Sequence, residues 1–302
     1  MINSIALSLL LGFELSYYLL IIQTGIVAHY NSDLITLFPM FAGGVLGTVF
    51  AGKPWIIYNK AVHKIIFALS LQLLLSFLYP NYNFFTLALL GVAVGMMAPL
   101  GIYLFKAKQK TELLFALAIA YTVGTYSFTS AIDTRLDLAI GVSFIALLSA
   151  IILRNYKVDT DTKNVAYTFR AYLPLMLWIL LDSNLFETIS RHVGLDIWSE
   201  YTYTIITFHI LGLLAASKIN TTISTQHKVI ALLFVTSYTM SYLESSTLLA
   251  IVYPFTISYY NIIVFTFLSK ELSLARLSLI MIFVGWIASG LGLALALSHL
   301  LH

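Results

Sequence analysis

Two carboxylates stand in the middle of long apolar runs. Glu14 lies within Leu11-Gly12-Phe13-Glu14-Leu15-Ser16-Tyr17-Tyr18, and Asp182 within Leu181-Asp182-Ser183-Asn184. On insertion scales a charge in hydrocarbon costs at least about 2.5–3.5 kcal/mol, so an acid placed there faces a bundle interior or water. Such a group suits proton uptake or the binding of a cation. The competing reading is a neutral, hydrogen-bonded acid that only ties helices together. No Lys or Arg stands three or four residues from either acid to neutralise it along its own helix. At 100° per residue Tyr18 and Gly25 share the face of Glu14.

Other groups fall around these two. His209, in Thr207-Phe208-His209-Ile210, is well inside an apolar run; near-neutral titration suits a proton relay, and simple packing is the alternative. Tyr253, Thr256 and Tyr260 recur at i, i+3 and i+7 around Pro254, whose missing N–H frees a backbone carbonyl that a cavity or a neighbouring helix must satisfy. Their hydroxyl and aromatic groups suit an uncharged or amphiphilic solute, and ordinary helix packing is the plainer account of any one Tyr. Glu187 and Arg191, four residues apart, read as a surface ion pair or an outer gate. Lys60 and Lys64 lie in a basic loop, as candidates for an inner gate. Asp133, Arg135 and Asp137 read as a solvated outer turn. No second His or acid accompanies His209 at i+3 or i+4, so neither a metal nor any other cofactor is expected.

The elements that position these residues follow from composition. Of 302 residues, 60% are hydrophobic and only 10% are Asp, Glu, Lys or Arg, against about 25% charged in soluble domains; mean hydropathy is +0.92. Too few charges remain to coat a soluble globule, so the class is an all-α polytopic membrane protein whose surroundings are the lipid bilayer. Cysteine is absent, which excludes disulfides and thiolate metal sites. Met1-Ile2-Asn3-Ser4-Ile5 lacks a basic n-region, so the first apolar run is expected to remain as a span.

Apolar runs of about 20 residues number eleven, near 5–28, 34–52, 64–80, 84–105, 112–131, 136–154, 171–190, 201–218, 228–243, 247–269 and 277–299. With the N-terminus in the cytoplasm, 14 of the 16 Lys and Arg fall inside and only Arg135 and Arg191 outside, the pattern of the positive-inside rule. These positions assign the net charge of +3 to topology rather than to nucleic acid. His63-Lys64-Ile65-Ile66 is echoed by His227-Lys228-Val229-Ile230, and Lys106 by Lys270, both at an offset of 164 residues. The offset divides the chain into a six-helix bundle (1–154), a cytoplasmic linker (155–170) and a five-helix bundle (171–302). It also pairs Tyr121-Thr122-Val123-Gly124-Thr125 with Val284-Gly285-Trp286-Ile287-Ala288-Ser289-Gly290, where small residues allow close helix approach. On the same offset Asp182 corresponds to position 18, one turn from Glu14.

The chain resembles the major facilitator superfamily, over most of its length but diffusely. The likeness rests on the six-helix repeat, the central cytoplasmic loop, and the loop after the second span, which in that family reads G-x-x-x-D-[RK]-x-G-[RK]-[RK]. Asn59-Lys60-Ala61-Val62-His63-Lys64 occupies its last six places, with basic residues kept at Lys60 and Lys64 and with Trp55, Asn59 and Val62 replacing the Gly, Asp and Gly. Phe267-Leu268-Ser269-Lys270 through Ala275-Arg276 to Gly285-Trp286 is similar to the family's second half, and the twelfth helix is missing. The resemblance implies a secondary transporter in the cell (inner) membrane that moves a small solute by alternating access. In the resembled fold the first and seventh helices line a central cavity. No GxxxxGK[ST] run is present, so uphill transport would draw on an ion gradient, with protons as the coupling ion. A ten-span carrier of the drug/metabolite type would need a repeat near 150 residues. A non-transporting assembly factor, or an intramembrane enzyme for lipid-linked intermediates, is the reading of a different class; no HExxH and no Ser/His/Asp spacing supports the enzyme.

Overall fold

The computed structural model describes residues 2–30, 33–54, 60–105, 110–156, 168–191, 195–218, 222–271 and 273–298. Trp55, Asn59, Lys106 and His302, together with most of the central loop, lie outside the described residues. Every long element among those described is a helix. Joining segments that run on without a break, they are α1 (Ile2–His29), α2 (Leu34–Gly52), α3 (Ala61–Ser76), α4 (Phe84–Leu104), α5 (Lys110–Tyr126), α6 (Ile132–Asn155), α7 (Leu173–Arg191), α8 (Thr202–Lys218), α9 (Ile223–Tyr242), α10 (Ser246–Leu268) and α11 (Leu274–Leu297). Six of them, α1, α2, α4, α6, α10 and α11, are long and apolar enough to cross a membrane by length and composition. The protein is therefore a polytopic helical membrane protein.

Local signals set several helix starts. Asp33 caps α2 by accepting from the backbone N–H of Ile35 and Thr36. Asn83 and Thr86 form a reciprocal capping box at the start of α4, and Thr222 caps α9 through Thr225 N–H.

The chain forms two units. The first holds 1–165 together with 268–281; the second holds 166–267 and 282–302. The segment 268–281, which the repeat places in the C-terminal bundle, thus clusters with the first unit.

In the first unit α2 and α4 pack backbone on backbone. A Cβ at Gly47 would lie 2.1 Å from the Val92 carbonyl oxygen, and one at Gly95 would lie 2.1 Å from that of Gly44. The Thr48 hydroxyl reaches the Gly95 carbonyl across this seam at 2.8 Å. Small residues let helices without a hydrophobic driving force in lipid gain dispersion contact. The end of α2 is also close to the start of α11, since a Cβ at Gly52 would lie 3.0 Å from Ala275 Cα.

Two π-helical stretches alter the register read from the sequence. Tyr18–Ile26 within α1 is wound wider than an α-helix, so the 100° spacing that put Gly25 on the face of Glu14 no longer holds. Gly25 lies against Tyr79 instead, where its Cβ would come within 3.0 Å of the phenol oxygen. In α11 the stretch Ile282–Ile287 is likewise π-helical. After it, Gly290 faces open space, while Gly292 packs against α7, its Cβ position 2.4 Å from the Leu180 carbonyl oxygen. The close approach to α7 is thus made by Ser289, within the small-residue stretch read from the sequence, and by Gly292 just beyond it.

Candidate functional site

Glu14 sits in the first unit, buried at 5% exposure. Its Oε2 accepts a hydrogen bond of 2.9 Å from Nε2 of Gln72 on α3. The same nitrogen lies 3.3 Å from Ser143 Oγ on α6, so the amide gathers three helices around the acid. Gln72 is fully buried, and its Oε1 has no hydrogen-bond partner. One helical turn on, the Tyr17 hydroxyl donates to Ser76 Oγ at 3.0 Å, and Ser76 donates to the Gln72 carbonyl at 2.8 Å. Tyr18, half-buried, packs against the apolar core of this unit. Nothing in the composition marks Gln72 as Glu14's partner, although a lone amide in Leu71-Gln72-Leu73 is the signal that could have found it.

Asp182 sits in the second unit and is half-buried. Its two carboxylate oxygens are divided between two phenols of α10. Tyr253 donates to Oδ1 at 2.9 Å and Tyr260 to Oδ2 at 2.6 Å, the short length expected of a charge-assisted bond. The i, i+7 spacing on α10 places both hydroxyls against one residue of α7. The neighbours of Asp182 tie the same turn to two further helices. Asn184 accepts from the Tyr238 hydroxyl of α9 at 2.8 Å, and Ser183 donates to the Ser289 carbonyl of α11 at 2.8 Å. The polar run Asp182-Ser183-Asn184 is thus the junction of α7, α9, α10 and α11. Asn184, Ser183 and Tyr238 were not singled out from the sequence, because their partners are 54 or more residues away.

Among the described residues neither Glu14 nor Asp182 takes part in an ion pair. No group of three or more His, Asp or Glu among those residues could hold a metal ion.

The structure brings Asp182, Tyr253 and Tyr260 together and keeps His209 elsewhere. His209 is buried on α8, with Nδ1 2.7 Å from Ser258 Oγ, and its ring also meets the Pro254 carbonyl. It braces the proline-containing stretch of α10 between the two phenols. Gly212, one turn on, allows that approach, since a Cβ there would be 2.5 Å from the Phe255 carbonyl oxygen.

The charged candidates divide by burial. Glu187 is buried and bonded to exposed Arg191 at 2.6 Å. Lys60 is exposed at the start of α3. Lys64 is buried, and its ammonium donates to the carbonyls of Ala51 at 2.8 Å and Lys53 at 2.6 Å, which finishes the C-terminus of α2.

Arg135 departs from the solvated turn expected of it. Asp133 and Asp137 are exposed in the first turns of α6, but the Arg135 side chain is buried. Its guanidinium donates to the carbonyls of Ser130 (2.9 Å), Phe128 and Leu20 (3.1 Å), to Thr24 Oγ1 (3.0 Å) and to Tyr79. The carbonyl of Leu20 lies in the π-helical stretch of α1, where backbone groups are left for outside donors. Each guanidinium nitrogen donates to the protein itself, which makes Arg135 a clamp rather than an anion site.

No protein-family model matches the chain, and a search of curated proteins gives no match either. The functional reading accordingly rests on the residues and their geometry.

Proposed function

We propose that the protein is a secondary transporter of the major facilitator type, a carrier rather than an enzyme, which moves a small solute by alternating access at the expense of a proton gradient. The observation that carries the reading is the pair of carboxylates. Each stands mid-way along a helix, is held by uncharged donors from neighbouring helices, and has no cation beside it among the described residues. Retaining such groups in an apolar bundle is costly, and the cost is met where a proton or ligand comes and goes.

The helix order supports the same reading. Adding 164 to Lys110, where α5 begins, gives Leu274, where α11 begins, and adding it to Phe84 of α4 gives 248, two residues into α10. All eleven helices are taken as spans, six in the first repeat and five in the second, with the N-terminus in the cytoplasm of the cell that carries the protein in its inner membrane. The resemblance also implies contact between the loop after the second span and a neighbouring helix. The packing of Gly52 on α11 and the anchoring of Lys64 to the end of α2 support an inner gate at that place. Glu187 and Arg191 are the corresponding candidates at the outer end. On this reading Asp182 with Tyr253 and Tyr260 binds the solute, and Glu14 carries the proton.

The test is uptake of a candidate solute library into proteoliposomes, with and without a pH gradient. A solute accumulated only under the gradient supports the reading. If no member of the library moves faster than in protein-free vesicles under either condition, the carrier reading fails in favour of the assembly-factor alternative.

A further inference from the structure

The core of the first unit contains more than an acid and its amide. Two polar atoms in it, Gln72 Oε1 and the Tyr82 hydroxyl, are buried with no hydrogen-bond partner. Buried polar atoms are nearly always satisfied, so each exception needs an explanation. These two flank a bonded pair of hydroxyls. The Tyr82 hydroxyl lies beside that of Tyr17, which donates to Ser76 Oγ at 3.0 Å. Ser76 stands one turn from Gln72 and donates to its carbonyl, and Gln72 holds Glu14. Tyr82 belongs to the turn between α3 and α4, at the end of the helices, whereas Glu14 is mid-way along α1.

We infer that these groups form a proton route from the α3–α4 turn to Glu14, through the hydroxyls of Tyr82, Tyr17 and Ser76, with Gln72 positioning the last donor. The inference rests on the reading of Glu14 as the proton carrier and extends it to the path of supply. Each hydroxyl accepts a proton on oxygen while giving its own to the next group, so every one is returned unchanged when it turns back. One proton enters at the turn and one is gained by the Glu14 carboxylate; no other bond is made or lost. The final hop needs the Ser76 hydroxyl to turn from the Gln72 backbone carbonyl towards one water molecule, for which Gln72 Oε1 offers an acceptor while Nε2 holds the carboxylate. A buried water with two to four polar partners is an ordinary part of a protein interior.

Among the described residues the charged and titratable groups facing the string are Tyr17 and Glu14 of α1, Tyr30 just after it, Tyr79 and Tyr82 of the turn, and Arg135 of α6. The guanidinium is spent on carbonyls, Thr24 and Tyr79, so it closes the far end of the string without competing for the proton. Burial raises both turn phenols, Tyr79 and Tyr82, above the usual tyrosine value, so they stand as neutral hydroxyls rather than as phenolates.

The experiment is time-resolved infrared difference spectroscopy on the full chain in liposomes after a pH jump. The Glu14 carboxyl band is identified by its loss in Glu14→Gln. Tyr17→Phe and Ser76→Ala should each slow the appearance of that band by at least about tenfold and leave its final amplitude unchanged. Tyr82→Phe should act in the same direction, and Tyr201→Phe, a change in the second unit, should leave the rate alone. Two substitutions of different shape guard against one that fails to fold. An unchanged rate in both Tyr17→Phe and Ser76→Ala, with the band intact, overturns the route alone. If no band titrates with Glu14 at all, the reading of Glu14 as proton carrier falls, and the route falls with it.

Discussion

Glu14 and Asp182 correspond in the repeat to within one helical turn, yet their surroundings are opposite in kind. Glu14 is sealed, touched by the Gln72 amide, a group that can donate from nitrogen or accept on oxygen and whose nitrogen is shared with Ser143. Asp182 is half-buried, and each of its oxygens accepts from a phenol of α10. A site lined by groups that can reverse their hydrogen bonds accommodates an acid both with and without its proton. One in which two phenols donate to the two oxygens favours the charged form and holds it in place. The difference teaches that two positions matched by the 164-residue offset need not share surroundings, because the partners arrive from other helices.

Removing the acids outright should give the largest effects and the clearest contrast. Asp182→Ala removes two phenol-to-carboxylate bonds, at about 1.5–3 kcal/mol each, and leaves Tyr253 only the longer bond to the backbone carbonyl of residue 182, whereas Glu14→Ala removes one amide bond and leaves that amide its contact with Ser143. Thermal unfolding in detergent should therefore fall further for Asp182→Ala; the reverse order would break the comparison. Next come the isosteric changes. Glu14→Gln should fold normally and lose gradient-driven accumulation while keeping downhill exchange. Asp182→Asn must turn its new amide N–H groups toward one phenol, so it should lose solute binding in both modes. If both neutral variants accumulate solute normally under a pH gradient, the acids are structural.

Within the Asp182 site the two phenols should be graded. Tyr260→Phe removes the bond of 2.6 Å and should weaken solute binding more than Tyr253→Phe, which removes one of 2.9 Å. Hydrogen bonds to charged groups contribute about 1.5–3 kcal/mol, so the loss is resolvable by a binding titration. Equal losses would mean that the carboxylate is not held asymmetrically.

The smallest effect serves as a reference for both acids. Asp33 is a fully exposed cap whose hydrogen bonds from Thr36 and Ile35 hold its carboxyl below its ordinary value of 3.8. Its contribution to stability is therefore present above that value and is lost as pH falls through the lower value in the folded state. Asp33→Asn should flatten the thermal stability profile slightly below about pH 4 and leave it untouched near neutrality. A change near neutrality would mean that Asp33 is coupled to one of the membrane-embedded acids, and the comparison between those two would need a third member.

Much of the helical layout was legible because hydrophobic runs are local. The run 34–52 read from the sequence coincides with α2, and 84–105 differs from α4 by one residue, since each is bounded by a polar cap that signals its own position. Glu14, Asp182 and the two tyrosines of α10 were legible for a related reason: a polar group in an apolar run is conspicuous without knowing its partner. Gln72, Asn184 and Tyr238 were not, because ordinary residues become parts of a site only through the helix that faces them. Arg135 was misread on the same ground, since a basic residue between two exposed acids looks solvated until a π-helical stretch 115 residues away offers it a carbonyl.

The sequence by itself determined that this chain is a helical membrane protein, where its apolar runs lie, and which of them carry a charge. Composition and spacing suffice for that, because the bilayer forces every span to satisfy its own backbone. The tertiary structure alone decided that Asp182 meets two phenols and Glu14 an amide, that Gly292 rather than Gly290 touches α7, and that a buried guanidinium clamps α1. Each of these depends on helix phase, and a π-helical stretch shifts phase by an amount that no count of residues per turn in the sequence reveals.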